Sequence, residues 1–327
     1  MKRKRAFRKA SKILLFLAID LLAMFCAGEL YLRCTGYQLS HFPKDASVGW
    51  HGNPGTIQSD EDPTVFEHVW PNNQRASHSM MGAKKKARKR AAAFGDSWTY
   101  GGDVRDEDTW VWHLNELFDD VEFDNCGAGG YSSYQAYLRM KRELEATHYD
   151  LVLYGAWRGQ VTRCLNYDSE NHMICDIVRS DIPWAELRDG KLIEHPATAS
   201  MMSYNQRSYL ISFIRRVRAG MFTSHYATVE DEYTLSLFKA MVAKMHDLAS
   251  AHGARLLVCI LEEYPEYDFD SIIPDDVERV HLMPEGLNEP LNATKYRVRG
   301  VPHFHPNGWV HNYWAKGIEK YLREHDF

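Results

Sequence analysis

Ser97 is the residue of this chain whose type and setting most favour chemistry. It ends the tripeptide Gly95-Asp96-Ser97, which follows the short apolar run Ala91–Phe94 and precedes a segment compatible with a helix. Gly95 allows a tight turn, and the Asp96 carboxylate is suited to accept hydrogen bonds from nearby backbone N–H groups. A serine hydroxyl attacks a carbonyl only when a base removes its proton, and sixteen histidines are available for that role. An ordinary strand-to-helix turn of the same composition is the alternative.

The elements that would position Ser97 alternate between strands and helices, which predicts an α/β fold with a parallel sheet. Apolar runs predict strands over Ala91–Phe94, Val121–Asp124, Asp150–Gly155 and Arg255–Leu261, and helical spacing predicts helices over Trp110–Phe118, Tyr134–Ala146, Asp231–Ala251 and Trp309–Leu322. Residues 262–300 show no sustained period and are predicted to be loop. Ser97 would then lie at the carboxyl end of a central strand, where open α/β sheets bind ligands.

Three segments come in the order that a known family requires. They are the Gly-Asp-Ser tripeptide at Ser97, a glycine-rich turn from Asn125 to Gly130 after the second strand, and a His-Pro dipeptide at His305 before the last helix. Together they resemble the GDSL, or SGNH, hydrolases, and are most similar to membrane-anchored bacterial members. The resemblance covers residues 50–322. It implies a flavodoxin-like three-layer α/β/α fold with a parallel central sheet, and hydrolysis of acyl esters.

The resemblance also implies roles for individual residues. Ser97 corresponds to the nucleophile and His305 to the base that takes its proton. The backbone N–H groups of Ser97 and Gly130 correspond to donors that stabilise the oxyanion of the tetrahedral intermediate.

Two positions depart from the family pattern. An aspartate is expected two or three residues before His305, where this chain has His303 and Pro302. Loss of that aspartate from a serine triad costs about 10⁴-fold in turnover when nothing replaces it. The asparagine expected as a third oxyanion donor is replaced by Trp157. We therefore expect another carboxylate or a backbone carbonyl to orient His305.

Two residues near Trp157 are alternative oxyanion donors. Arg158 and Gln160 both carry N–H groups and follow the third predicted strand closely, and the sequence does not rank them.

The amino terminus predicts a membrane attachment. Seven Lys and Arg residues precede the apolar run from Ile13 to Gly28. The whole chain has a net charge of −5, and without these seven cations the remainder has a net charge of −12. We interpret residues 1–12 as a basic cytoplasmic tail and 13–32 as a transmembrane signal anchor, which places the rest of the chain outside the cytoplasmic membrane. A signal peptide cleaved after Cys26-Ala27-Gly28 is the alternative. A body this acidic is a poor binder of nucleic acid.

The remaining chain divides into two parts. Residues 33–90 are rich in Pro, Gly, Asn and Asp and are predicted to form an extended arm, with anchors such as Trp50, Phe66 and Trp70. Residues 91–327 would form the α/β domain, with an insertion at about 157–228. Within the insertion, Cys164 and Cys175 are a candidate disulfide in an exported protein, and two free thiols are the alternative.

These observations predict a membrane-tethered, serine-dependent ester hydrolase. The substrate would be an acyl ester of an envelope glycan or lipid, and transfer of the acyl group to a sugar hydroxyl would use the same residues. A catalytically inactive binding domain on the same fold is the main alternative, and a purely structural envelope protein is a weaker one. No cofactor and no metal is expected, since the Gly127–Gly130 turn lacks dinucleotide-binding spacing and no Cys/His spacing suggests zinc.

Overall fold

The structure is a computed structural model that describes most of the chain. The described residues are 2–35, 44–45, 47–52, 54–59, 62–78, 87–165, 183–196, 208–211, 213–214, 232–262, 268–283, 294–300 and 305–327. The strands are, in chain order, β1 (Lys44–Asp45), β2 (Gly49–Trp50), β3 (Gly55–Gln58), β4 (Phe66–Val69), β5 (Lys89–Phe94), β6 (Val121–Asn125), β7 (Leu151–Ala156), β8 (Trp184–Arg188), β9 (Lys191–His195), β10 (Arg255–Ile260) and β11 (Glu278–His281). The helices are α1 (Lys2–Cys34), α2 (Ser97–Tyr100), α3 (Trp110–Leu117), α4 (Ser133–Ala146), α5 (Arg158–Thr162), α6 (Glu232–Ala251), α7 (Phe269–Ile272) and α8 (Gly308–Glu324).

A five-stranded sheet forms the centre of the fold. Its strands lie in the order β11-β10-β7-β5-β6, and all four neighbouring pairs are parallel. Numbered along the chain, these strands run 2-1-3-4-5 from the β6 edge, which is the flavodoxin-like order. The order reverses between β5 and β7, so the crevice at their carboxyl ends is the expected ligand site of this topology.

Helices cover both faces of the sheet, because successive side chains of each strand point to opposite sides. Ala92 and Phe94 face one core together with α4 and α6, whereas Ala91 and Ala93 face the other together with α3 and α8. The predicted three-layer α/β/α architecture with a parallel central sheet is confirmed. The predicted helices begin and end within one or two residues of the observed ones.

The segment predicted as loop over 262–300 contains regular structure, so that prediction was wrong in part. The structure has the short helix α7, the edge strand β11 and two 3₁₀ turns, Thr294–Tyr296 and Val298–Gly300. Strand β11 pairs with β10 on one side, and its residues are half-buried or exposed. An edge strand of this kind is not buried on both sides, so it does not require the continuous apolar run of a central strand. Its sequence, Glu-Arg-Val-His, therefore did not indicate a strand.

The arm before the sheet forms two small antiparallel pairs, β1 with β2 and β3 with β4. Trp50 is fully buried and anchors the arm, since its Nε1 donates to the Gly129 carbonyl and its own carbonyl accepts from the Tyr131 hydroxyl. Trp70 is also buried, but Phe66 is half-exposed and is not an anchor. Phe66 lies on β4, where alternate residues point away from the body of the protein.

Helix α1 contains one stretch, Ser11–Cys34, that is long and apolar enough to cross a membrane. A signal sequence near an N-terminus has the same length and composition. Within this stretch the Glu29 carboxylate accepts hydrogen bonds from Arg33, from the Ser208 hydroxyl and from the backbone N–H groups of Tyr209 and Leu210. The end of α1 therefore contacts a segment of the insertion.

Besides the segment that contacts Glu29, the described parts of the insertion include α5, a 3₁₀ turn over Arg163–Leu165 and the β8–β9 hairpin. Cys164 carries a buried free thiol that donates to the Ser133 hydroxyl at 3.3 Å. Its suggested disulfide partner, Cys175, lies outside the described residues.

Asn115 is a buried polar side chain that links helix α3 to strand β6 and to the arm. Its amide donates to the carbonyls of Ser77 and Phe123 and accepts from the Phe123 N–H, all at 2.8–2.9 Å in a buried site. Asn115→Ala should lower the free energy of unfolding by about 3 kcal/mol, at about 1 kcal/mol for each hydrogen bond lost. Chemical denaturation followed by circular dichroism measures the change. Asn312→Ala, on a half-buried face of α8, should change the free energy by less than about 0.5 kcal/mol, and equal losses for both variants would contradict this role.

Candidate active site

Ser97 lies at the start of α2, directly after the carboxyl end of β5. Asp96 caps this helix, because its Oδ1 accepts a hydrogen bond from the Trp98 N–H at 3.0 Å. Gly95 has φ +155°, and a side chain at that position would come within 2.2 Å of the Thr99 hydroxyl. The expected use of Asp96 to fix the loop is confirmed. The tripeptide thus presents a half-buried serine at the edge of the sheet.

The second oxygen of Asp96 binds two side chains from the loop and turn after β7. Oδ2 accepts from Trp157 Nε1 at 2.8 Å and from Arg163 Nη1 at 2.5 Å. The Trp157 ring also stacks on Trp98, with centroids 3.9 Å apart. Trp157, which stands where the family has an oxyanion donor, therefore uses its indole N–H to hold the loop that carries Ser97.

The two alternative donors occupy different environments. Gln160 is fully buried, and its amide donates to the Tyr131 carbonyl while accepting from the Tyr154 hydroxyl, so it is engaged inside the fold. Arg158 begins α5 and is half-buried. Of the two, Arg158 is the one whose side chain is partly exposed.

The loop after β6 packs directly on the serine loop. Asn125 Nδ2 donates to the carbonyls of Thr99 and Tyr100, and its Oδ1 accepts from the Gly127 N–H. A Cβ on Gly127 would lie 2.4 Å from the Tyr100 backbone nitrogen, so only glycine allows this close approach. Gly130 has φ +71°, in the left-handed region. Asn125 therefore fixes the turn that ends at Gly130 against helix α2.

Within the described part of the chain, the backbone N–H groups of Ser97 and Gly130 donate no hydrogen bond. Ser97 N–H is one of the first N–H groups of its helix, which have no acceptor inside the helix. Both groups belong to loops at the same edge of the sheet. They are chemically able to donate to a developing negative charge, as the sequence-based assignment requires.

His305 reaches the serine loop from the other end of the chain. A Cβ on Gly102 would lie 3.1–3.3 Å from three atoms of the imidazole, so the ring covers this glycine. The Gly102 N–H donates to the Ser97 carbonyl at 2.9 Å, which closes the loop beneath the ring. The structure thus brings His305 onto the same loop as Ser97.

Asp103 supplies the carboxylate that the sequence pattern lacked. Its Oδ2 accepts a hydrogen bond from His305 Nδ1 at 2.5 Å. An ionised carboxylate only accepts hydrogen bonds, so the proton is assigned to Nδ1 and Nε2 is left free to take a proton. Of the two alternatives that the sequence left open, a backbone carbonyl or a carboxylate from another loop, the structure has the carboxylate, and it lies on the serine loop. His303 and Pro302 lie outside the described residues.

Sequence reasoning missed Asp103 for a physical reason. The loop that follows Ser97 contains four acids, at 103, 106, 107 and 108, and nothing in their order distinguishes one from the next. The available signal was proximity to Ser97 in the chain. A short loop that holds the nucleophile is able to hold the acid as well, provided that the base comes from elsewhere.

Asp103 is ionised although it is buried. Burial raises its pKa, but the hydrogen bonds from His305 and Ser59 and the charge of Arg75 outweigh that effect, so the pKa lies below its ordinary value. A carboxylate that stays negative stabilises the imidazolium that forms when the histidine takes a proton.

A buried ion network supports this loop from the arm. Arg75 is fully buried, and its guanidinium pairs with Glu67 and with Asp106, each at 2.8 Å, and donates to the Val104 carbonyl at 2.7 Å. Because Val104 follows Asp103 directly and Asp106 comes shortly after it, Arg75 fixes the end of the loop. A buried charge is tolerated when it is paired and hydrogen-bonded in this way.

No part of the described chain places three His, Cys, Asp or Glu side chains where they would hold a metal ion.

The comparisons with known proteins give similarity in structure alone. No protein-family profile and no curated protein matches the sequence. Among solved structures, the chain is similar to a GDSL-like lipase from Bacteroides thetaiotaomicron, at 15% identity with a TM-score of 0.36, over 75% of this chain and 93% of the other. A member of the lipolytic protein G-D-S-L family from Veillonella parvula has 13% identity and a TM-score of 0.38, over 72% and 98%. The psychrotrophic esterase EstA from a Pseudoalteromonas species has 15% identity and a TM-score of 0.37, over 72% and 99%.

His311 should make the stability of the protein depend on pH. It is fully buried on α8, and its Nδ1 accepts from the Trp110 N–H. Burial, followed by the positive charges of His113, His305 and Arg75, lowers its pKa from 6.5 to about 3. The unfolded chain therefore binds a proton below pH 6.5 that the folded protein excludes, so this contribution is complete above pH 6.5 and is lost as the pH falls towards 3.

We expect the free energy of unfolding to fall by about 2 kcal/mol between pH 6.5 and pH 5 through this group alone, at 1.4 kcal/mol per pH unit. Denaturant titrations at the two pH values, compared between wild type and His311→Gln, isolate it. His148→Gln is the matched control, because the His148 side chain is 71% exposed. An equal pH dependence for wild type and His311→Gln would contradict the assignment.

Proposed function

We propose that this protein is a serine-dependent carboxylic ester hydrolase tethered to a membrane by its N-terminal helix. The observation that carries the proposal is the contact between His305 and Asp103 on the loop that begins with Ser97. A nucleophile, a base and a carboxylate that orients the base are the parts of a serine triad. Their position at the reversal of strand order agrees with where this topology binds ligands.

In the proposed reaction, Ser97 Oγ attacks the carbonyl carbon of an acyl ester while His305 Nε2 takes the hydroxyl proton. The Asp103 carboxylate holds Nδ1–H and stabilises the imidazolium. The N–H groups of Ser97 and Gly130 donate to the oxyanion of the tetrahedral intermediate. The intermediate expels the alcohol, which takes the proton from His305, and leaves an acyl group on Ser97. A water molecule, deprotonated by the same imidazole, then attacks the acyl carbon; the bond to Ser97 Oγ breaks, Oγ takes the proton back from His305, and the acid is released.

We further propose that the substrate is an O-acyl ester of an envelope glycan or lipid, met on the outer face of the cytoplasmic membrane. The support is the apolar stretch in α1 and the cluster of cations before it, which favours a cytoplasmic N-terminus. In this proposal residues 91–327 form the catalytic domain and the insertion lies over the strand ends. A sugar hydroxyl in place of water would make the same site an acyltransferase.

A catalytically inactive binding domain is the second candidate. It is favoured by Trp157, whose N–H is bound to Asp96 and is therefore withdrawn from the oxyanion site. Loss of one oxyanion donor costs about 10²–10³-fold in turnover, which a site with two backbone donors survives at a reduced rate.

Labelling of Ser97 separates the two candidates. The full-length protein in detergent micelles should hydrolyse p-nitrophenyl acetate and take up a fluorophosphonate, and Ser97→Ala should do neither, since it lacks the nucleophile. Ser250→Ala, at an exposed position on α6, should behave as wild type. Equal labelling of the wild-type and Ser97→Ala proteins would exclude the proposal that Ser97 is the nucleophile of an ester hydrolase.

Asp103→Asn tests the acid that the structure brings to His305. An amide leaves the loop intact but favours the wrong tautomer of the imidazole, so turnover should fall by about 10⁴-fold. The measurement is kcat for p-nitrophenyl acetate, with circular dichroism as the check on folding. His305→Ala should abolish activity, whereas His303→Ala should preserve it. A full rate in Asp103→Asn would show that His305 is oriented by another group.

A further inference from the structure

We propose that Ser59 and Glu67, in the arm before the sheet, are positioning residues for the acid of the active site. They act through Asp103 and do not touch the reacting atoms. This inference rests on the proposed function, since it takes the contact between Asp103 and His305 as part of a catalytic triad. It makes the arm a component of the catalytic machinery in addition to a link to the membrane.

The backbone of Asp103 requires support. Its φ is +62°, in the left-handed region that residues other than glycine adopt only at a cost in free energy. The Asp103 N–H donates to Glu67 Oε1 at 2.8 Å. The other oxygen of Glu67 is paired with Arg75 Nη1, also at 2.8 Å, and the Arg75 backbone N–H donates to the Asn125 carbonyl at 3.0 Å. Glu67 thus connects the backbone of Asp103 to the central sheet.

Ser59 fixes the carboxylate itself. Its hydroxyl donates to Asp103 Oδ1 at 2.5 Å and accepts from the Asp62 N–H at 3.0 Å. Since the N–H of Asp62 supplies a donor to the hydroxyl oxygen, the serine proton is directed at the carboxylate. The two oxygens of Asp103 are then divided, with Oδ1 bound to Ser59 and Oδ2 bound to His305. Two hydrogen bonds on opposite oxygens hold the plane of the carboxylate against the imidazole.

The charges around Asp103 come from three elements. The arm contributes Glu67 and Arg75, the serine loop contributes Asp106, and the segment before α8 contributes His305. Glu67 and Asp106 are both paired with Arg75. The Ser59 hydroxyl is therefore a neutral donor among ions that already have partners. Its removal takes one hydrogen bond away from the Asp103 carboxylate, which faces His305, and leaves every ion pair in place.

The test measures the rate at which a fluorophosphonate labels Ser97 in the full-length protein, from pH 5 to pH 9. Ser59→Ala should lower the rate on the plateau about tenfold, the expected effect of one hydrogen bond to a charged group. It should also move the acidic limb of the profile to higher pH. An Asp103 carboxylate without this donor presents more negative charge to His305 and favours its protonated form.

Ser77→Ala is the matched control. Ser77 is a fully buried serine of the same arm, and its carbonyl accepts a hydrogen bond from Asn115 on helix α3. Its labelling rate and acidic limb should equal those of wild type. A profile of Ser59→Ala that coincides with that of Ser77→Ala would overturn the proposal.

A second pair of variants applies if Ser59→Ala folds poorly. Ser59→Thr and Ser59→Val place side chains of the same shape at this buried position and differ in the hydroxyl. Thr should retain most of the rate and Val should lose about tenfold, whereas equal rates would overturn the proposal. A wild-type protein that takes up no label is a different result, because it removes the proposed function itself.

Discussion

The interaction on which the site depends is the hydrogen bond between the Asp103 carboxylate and the His305 imidazole. It joins the loop after the first strand of the sheet to the segment before the last helix, two parts of the chain about 200 residues apart. Other contacts of the site hold the loop of Asp103 or the segment of His305 in place. Asp96 and Asn125 fix the loop, and the backbone hydrogen bond from the Val298 N–H to the His305 carbonyl fixes the base.

Burial of charged side chains is the main free-energy cost of this arrangement, and ion pairing offsets it. Asp96 is fully buried and is bound by Arg163, while Glu67 and Asp106 share Arg75. Pairs of this kind contribute little net stability compared with apolar residues of the same size, but removal of one partner costs several kcal/mol. Their effect is therefore to specify one conformation of the serine loop. That conformation includes the left-handed backbone at Asp103.

The elements that the sequence reveals most clearly are those with strong apolar patterns. Strands β5, β7 and β10 are buried on both faces, and α6 carries a regular apolar stripe, so their positions could be predicted from spacing alone. Ser97 follows from its place after such a strand. Strand β11 was missed because an edge strand needs no continuous apolar run.

The partners within the site could not be predicted in the same way. The pairing of His305 with Asp103 depends on the path of the last segment over Gly102, which no local pattern encodes. Trp157 is a second case, since its indole N–H is bound to Asp96 through a turn whose geometry depends on Arg163 as well. Sequence spacing identifies which residues are near the strand ends. Packing of the loops decides which of them meet.

The proposed nucleophile and the carboxylate that binds His305 lie on one loop, and this determines how the site can come apart. Ser97 and Asp103 belong to one short loop, so they keep their relative positions as long as that loop retains its contacts with the arm and with Asn125. His305 is the single member of the set contributed from outside, through a short stretch held by the bridge between Arg297 and Pro306. Displacement of that stretch alone would separate the imidazole from Asp103 in one step and leave the sheet untouched.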